Sequence, residues 1–292
     1  MNVDLFRSEW LKIAGNRWAT SFFIWIWPIG MLLFSVGALL FVAFSETFRE
    51  AQLLLGVNPW NESLLSTWGV VNNIVGRWVI IAFTAFVFAG EYKHGTWKNL
   101  ITRRQRVTLI LNKFITVSVF VTVGFVLFSL VNGIGSGLLA YALDIDYGLS
   151  TAGDVMGDFL RDYLLQMSIT LTAVLIGASF AALAAMVTKN IMASVFVGIF
   201  FYMLEFISLF ALIIFFQQFF GINLSWVYQY LPSYNLDNIA LWVNEGRGIS
   251  VPVGEDTLTA FSVTQSVLLV IVWAIGLVGL TSYLFQRQDI TT

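Results

Sequence analysis

Cysteine is absent from the 292-residue chain, and histidine occurs once, at His94. The first absence excludes disulfides, thiolate metal sites and cysteine nucleophiles, and says nothing of the redox compartment. The second excludes a histidine-rich metal site and the His-x-x-x-His pair of a zinc peptidase. His94 stands beside Lys93 in a polar stretch, the ordinary setting of a surface histidine. None of the 23 glycines is followed by lysine, so the phosphate-cradling G-x-x-x-x-G-K-[ST] loop is missing. No catalytic, metal or directly bound cofactor site is therefore expected, and ATP-driven work would need another polypeptide. Charge is scarce as well, at 11% of residues where soluble domains carry about 25%. That excludes an ordinary soluble domain.

Apolar residues fill the chain instead. They make up 58% of it, with 27 Phe and 11 Trp, and the mean hydropathy is +0.83. One water-soluble core of this length could not bury so much apolar surface, so lipid must solvate much of it. Because a spanning helix needs about 20 consecutive apolar residues, charge-free intervals mark the spans. Four such intervals run from Arg17 to Glu46, Lys113 to Asp144, Asp162 to Lys189 and Asp256 to Arg287. Two further runs are broken by single charges: 70–89 contains Arg77 and 191–216 contains Glu205. The expectation is one all-α membrane domain over 1–292 with six transmembrane helices, at about 21–44, 70–89, 114–143, 163–187, 191–216 and 261–285. The first run is too long for the apolar core of a secretory signal and reads as a retained span.

An even number of spans puts both termini on one side, and basic residues decide which. Arg7, Lys12, Arg17, the run from Lys93 through Arg103, Arg104 and Arg106 to Lys113, Lys189 and Arg287 fall on the side of the termini. Only Arg49, Arg161 and Arg247 lie opposite. Both termini are therefore expected in the cytoplasm. The outer loops hold most of the carboxylates, among them Asp144, Asp158, Asp162 and Asp256, and read as a solvated face. The basic run between two spans is explained by the same rule and by anionic membrane lipid, so no nucleic-acid partner is implied.

Two stretches outside the spans are not simply polar. Residues 1–17 read as an amphipathic interfacial helix, with Val3, Phe6, Trp10, Ile13 and Ala14 on one face, Asp4, Ser8, Glu9 and Lys12 on the other, and Leu5 out of place. It would lie in the inner headgroup layer, as an anchor or as a lever. The external stretch 217–260 is short for a folded domain yet carries Phe219, Phe220, Trp226, Tyr230 and Trp242. Short re-entrant helices broken near Pro232 account for it, and so does an aromatic belt at the interface.

The most specific local signal comes after the second span: Glu91-Tyr92-Lys93-His94-Gly95-Thr96-Trp97-Lys98-Asn99-Leu100, then basic residues to Arg106 and Lys113. In Glu91, Gly95, Thr96, Leu100, Arg106 and Lys113 the segment resembles the first cytoplasmic loop of the six-span permease subunits of ABC exporters, half-transporters of a type V-like kind. The amphipathic start, the six spans and a Leu-Pro pair (Leu231, Pro232) in the long outer segment extend the resemblance over the chain. It implies that two such subunits pair, as a homodimer or heterodimer. Each would rest on a cytoplasmic ABC ATPase through a coupling loop over 91–113, with Glu91, Gly95, Thr96, Trp97, Leu100 and Arg106 carrying the contact. ATP and Mg would act in that partner, this chain would be no enzyme, and the membrane would be the bacterial cytoplasmic membrane. The residue types suit the role: Gly95 and Thr96 turn the chain, Trp97 and Leu100 face lipid or the spans, and the basic side chains sit among headgroups.

An ionisable side chain deep in a span costs about 2.5–3.5 kcal/mol on insertion scales, and so faces protein or water. Tyr202, Glu205 and Ser208 share a broad face of the fifth span with Ser194 and Gly198; Asn73, Gly76 and Arg77 share one on the second. In the resembled family these two spans line the transport route, which makes Asn73, Arg77, Tyr202, Glu205 and Ser208 candidates for the route or its gate. Arg77 and Glu205 are expected to pair, either as an outer gate or as a structural ion pair; Arg77 snorkelling outward is a third reading. The leading function is a permease that exports its cargo by alternating access, driven by the separate ATPase. The alternative is an ATP-independent transporter or channel with Glu205 as a proton or cation relay, which an internal repeat would favour, and none is visible. The lack of His, Cys and paired carboxylates in the spans argues strongly against a third function, that of an intramembrane enzyme such as a protease.

Overall fold

The computed structural model describes all residues except 1–2, 103, 149–152, 206–208, 223, 254–255 and 290–292, so that Arg103 and Ser208 lie outside the described residues. The described chain is helical almost throughout. α1 (Val3–Gly15) stops short of Asn16, whose Oδ1 accepts the Ala19 amide at 3.2 Å and caps α2 (Arg17–Thr20). A π turn at Ser21–Trp25 leads into α3 (Ile26–Phe44). The extended residue Ser45 caps α4 (Glu46–Leu55), and α5 (Trp60–Asn72) is next in the chain. Then come α6 (Ile74–Lys93), the short α7 (Trp97–Ile101), α8 (Arg106–Leu143), α9 (Gly153–Thr188) and α10 (Ile191–Met203). The last third holds α11 (Leu209–Phe220), α12 (Ser225–Gln229), α13 (Pro232–Glu245), an antiparallel hairpin of β1 (Val251–Val253) with β2 (Asp256–Leu258), and α14 (Val263–Arg287).

Among the described residues, five helical stretches are long and apolar enough to cross a membrane: Arg17–Phe44, Ile74–Lys93, Arg106–Leu143, Val155–Thr188 and Val263–Arg287. The run expected over 191–216 is described as two helices, with 206–208 between them outside the described residues. α10 ends at Met203, the backbone widens into a π turn at Leu204 and Glu205, and α11 begins at Leu209. At about 1.5 Å per residue, α10 alone is roughly 20 Å long, short of the ~30 Å hydrocarbon layer. Both ends of the stretch expected as a loop over 91–113 are helical, since α6 runs to Lys93 and α8 begins at Arg106. Its 38 residues make α8 roughly 57 Å long, so it extends well past a bilayer core.

Two compact units make up the fold. One comprises Met1–Glu9, Trp78–Val117 and Leu171–Thr292. Its core includes Ile81, Ala85, Ala181 and Tyr202, all buried, with Phe180 and Ile199 packed against them. Close approach is possible there because Gly198 has no side chain: a Cβ at that position would lie 3.1 Å from both Ala181 Cα and Ile81 Cγ2. The other unit comprises Trp10–Arg77 and Ser118–Thr170. There the buried Trp68 meets Tyr163 edge-on at 5.7 Å, and Trp60 packs on Phe159 at 4.5 Å. Two side chains of α8 hold α5 by its carbonyls: Ser129 Oγ donates to Leu64 O at 2.7 Å and Asn132 Nδ2 to Ser63 O at 2.5 Å.

The stripe that α1 buries within the protein differs from the apolar face expected from the sequence: Ile13 is common to both, and Phe6 and Trp10 are half-buried. Its buried side chains are Leu5, Glu9 and Ile13, spaced i, i+4, i+8, while Val3 is 68% exposed and Ala14 is exposed. Leu5, out of place on the apolar face drawn from the sequence, belongs to this second stripe. Glu9, expected on the water-facing side, lies at its centre. A hydrophobicity pattern cannot find a stripe whose middle residue is a buried carboxylate.

Candidate functional site

The segment after α6 turns because of three residues. Gly95 adopts φ +63°, the left-handed conformation that lacks a steric penalty only for glycine. The Gly95 amide donates to Tyr92 O at 3.2 Å and the Thr96 amide to Glu91 O at 3.1 Å, which together close the C-terminus of α6 as a Schellman motif. Thr96 Oγ1 then donates to Glu91 Oε2. The Glu-x-x-x-Gly-Thr spacing is thus a helix stop in which the threonine hydroxyl locks onto the carboxylate one turn before the glycine.

The same glutamate holds a cation. Lys113 Nζ lies 2.5 Å from Glu91 Oε1 and 2.7 Å from Glu9 Oε2, with the three side chains 1%, 2% and 3% exposed. Its ammonium also sits 5.3 Å from the centre of the Trp97 ring. Lys113 lies seven residues into α8, about 10 Å along its axis. One lysine therefore joins α1, the end of α6 and α8, three elements distant in sequence. Such a buried cluster is held together by mutual compensation: each charge removed from water is tolerable only while its partners stay in place.

Trp97 and Arg106 also face inward. Trp97 is fully buried and packs against Phe285 of α14 at 4.3 Å and Tyr92 at 5.9 Å. Arg106 Nη1 reaches the carbonyls of Phe285, Gln286 and Gln288, at 2.9, 2.9 and 2.7 Å. Those oxygens include acceptors that a helix leaves unpaired at its C-terminal end, where a cation is favoured. Gln288 continues the connection: Tyr92 Oη donates to its Oε1, and its Nε2 donates to Met186 O at 2.5 Å. Lys93, His94, Gly95, Lys98 and Arg104 face outward, and Thr96 and Leu100 are half-buried. A cavity of about 250 Å³ opens beside them, lined by Tyr92, Gly95, Lys98, Lys189 and Asp289 with the edges of Glu91 and Trp97.

The other sequence-predicted residues fall into local roles. Asn73 Oδ1 accepts the Gly76 amide at 2.9 Å and so caps the start of α6. Gly76 is required at that corner, because a Cβ would lie 2.5 Å from Val70 O and 2.7 Å from Val71 O. Arg77 is buried, and its Nη2 donates to Asn72 Oδ1 at 2.5 Å. In the other unit Tyr202 is buried in the cluster with Ile81 and Ala181. Glu205, also buried, accepts the Ser233 amide at 2.8 Å. Ser233 is the second residue of α13, so the carboxylate meets an amide that the helix itself leaves unpaired. The first half of α13 is buried, and Asn235 and Asn238 tie it to the carbonyls of Gln229, Leu231 and Phe261 and to Ser266.

Sequence reasoning missed Glu9 and Gln288 as members of the site. Glu9 carried no signal in its own helix, where a carboxylate reads as water-facing. Gln288 had none: its partners Tyr92 and Met186 are 196 and 102 residues away.

The model of the family described as ABC-2 family transporter protein matches residues 5–205, more than two thirds of the chain. The match takes in α1 from Leu5 onward, the turn after α6 and the lysine cluster, and ends at Glu205. A comparison with curated proteins finds no match.

Proposed function

The chain belongs to the ABC-2 family of transporter proteins, and from that membership we propose that it is the membrane half of an ATP-driven exporter. It is an integral membrane permease subunit and a transport component. In this reading it has six spans, the fifth interrupted at Glu205, and both termini lie in the cytoplasm of a bacterial cell. Two subunits pair, and each rests on a separate ABC ATPase in which ATP and Mg act. α6 and α10 line the route, with Arg77 and Glu205 as its charged groups and Asn73, Tyr202 and Ser208 beside them. The stretch 217–260 re-enters the membrane at α13, a reading supported by the buried first half of that helix and by Pro232 at its first position.

The observation that carries the proposal is the construction of the segment from Glu91 to Arg106. Its outer side offers exposed Lys93, His94, Gly95 and Lys98 to a partner. Its inner side is fixed to α1 and α8 through Lys113, so displacement of the loop is transmitted to helices instead of being absorbed by a flexible connection. The ATPase therefore docks on the outer side, and the buried cluster passes the motion on.

The test is co-purification of the chain with an ABC ATPase from the same genome, followed by the charge reversal Lys98→Glu. The exposed lysine is expected to contribute to association, so its reversal weakens ATPase binding about tenfold while the permease remains folded. A chain that binds no ATPase, or that moves cargo across vesicle membranes without nucleotide, would overturn the reading.

A further inference from the structure

We propose that Arg106 and Gln288 form a clamp that makes the end of the last helix part of the coupling apparatus, so that α14 moves with the loop instead of responding to it through the packed spans. The inference rests on the function proposed above and adds to it a mechanical path that runs through the C-terminal segment. Arg106 stands in the basic run whose position suggests contact with a partner, yet its guanidinium is committed within the chain. One nitrogen serves three carbonyls at the end of α14. Its carbon also lies 5.7 Å from the centre of the Phe285 ring.

Three kinds of contact converge on the end of α14. Phe285 is fully buried against Trp97, the first residue of α7. Gln288 bridges the Tyr92 hydroxyl at the end of α6 to the Met186 carbonyl near the end of α9. Arg106 begins α8. The ends of α6, α8, α9 and α14 thus converge on residues 285–288, and each link uses a different group: an aromatic face, an amide and a guanidinium. α14 leaves much of its length exposed, with Leu268, Ile271, Val272, Ile275 and Leu280 all outward. The first half of α14 is held by Asn238 Nδ2 donating to Ser266 Oγ at 2.9 Å and by Trp273 Nε1 donating to Tyr230 O at 2.8 Å, so residues 285–288 supply the attachment of its other end to the loop.

Arg106 is then a positioning residue, acting through α14 and not by touching the ATPase. Hydrogen exchange on the purified chain in nanodiscs reads the clamp directly. Arg106→Gln and Gln288→Ala are each expected to speed exchange of the 284–288 amides about tenfold, the effect of losing a charge-assisted or buried hydrogen bond. Arg106→Lys, which keeps the charge, restores part of the protection. A second measurement uses the natural lack of cysteine. Spin labels on Gln105→Cys, exposed in the loop, and Leu280→Cys should give one narrow distance distribution, broadened by Arg106→Gln and by Gln288→Ala. In the complex with the ATPase that distance should stay unchanged between nucleotide-free and ATP-trapped states. Unchanged exchange and unchanged width in both variants overturn the proposal, as does a Gln105–Leu280 distance that shifts with nucleotide. Loss of ATPase binding in Arg106→Gln with exchange unaltered would make Arg106 a docking residue instead. Failure of the wild-type chain to bind an ATPase counts against the proposed function alone, because exchange and width are read on the isolated chain.

Discussion

Lys113 shows how one side chain organises a region whose parts look unrelated in sequence. Its charge is surrounded by two carboxylates and an indole face, and water reaches almost none of it. Lys113→Met would remove the cation that the buried Glu9 and Glu91 share, and breaking such a cluster from one side costs about 3–5 kcal/mol. Denaturant titration in detergent should show that loss, and the triple variant Lys113→Met, Glu9→Gln, Glu91→Gln should recover most of it. A Lys113→Met variant as stable as wild type would mean that the carboxylates find other partners. At this scale the sequence was legible in part. Glu91, Gly95 and Thr96 are picked out through the resemblance of the loop, and the fold shows that this pattern is a helix stop written within six residues. Glu9 could not be picked out, since a carboxylate on an amphipathic helix ordinarily faces water, and only the lysine 104 positions later reverses that preference.

Among the elements, helix ends carried more information than helix faces. The polar residues Asn73, Gly76 and Arg77 look from their spacing like a stripe along one helix. In the fold Asn73 ends α5 and caps α6, Gly76 permits the backbone approach, and Arg77 reaches back to Asn72. A break one residue long is invisible to hydropathy, because both flanking helices are apolar. Glu205 is similar. A run from 191 to 216 averages as one span, but the carboxylate meets the N-terminus of α13, and the backbone takes a π turn at that residue. Charge at a helix N-terminus is worth up to ~2 kcal/mol in a partly buried setting. Glu205→Gln should therefore keep the hydrogen bond but lose roughly 1 kcal/mol of that attraction, and Glu205→Leu should lose both. Hydrogen exchange of the 233–236 amides is the readout, and the order wild type, Gln, Leu in falling protection is expected. Equal protection in all three would show that the Asn235 and Asn238 contacts hold α13 by themselves.

For the whole molecule, the apolar excess and the charge-free intervals announced a membrane protein because they are sums over many residues and insensitive to any single contact. The division into two compact units was not announced: α6, α8 and α9 each contribute to both, so no linker or change of composition marks the boundary. Orientation is read from a sum as well, that of lysine and arginine on the two sides. A chain without cysteine makes the check clean, since every introduced thiol is the only one. With the termini inside, Arg161→Cys, on the highly exposed side chain near the start of α9, should react with a membrane-impermeant maleimide in intact cells. Lys98→Cys, exposed on the loop after α6, should react only after the cells are opened. An ATPase bound at the loop adds a second expectation: the complex should shield Lys98→Cys and leave Arg161→Cys reactive. Labelling in the opposite order would put the exposed side of the loop outside the cell, where no cytoplasmic ATPase reaches it, and the coupling role of Glu91, Lys113 and Arg106 would fall together.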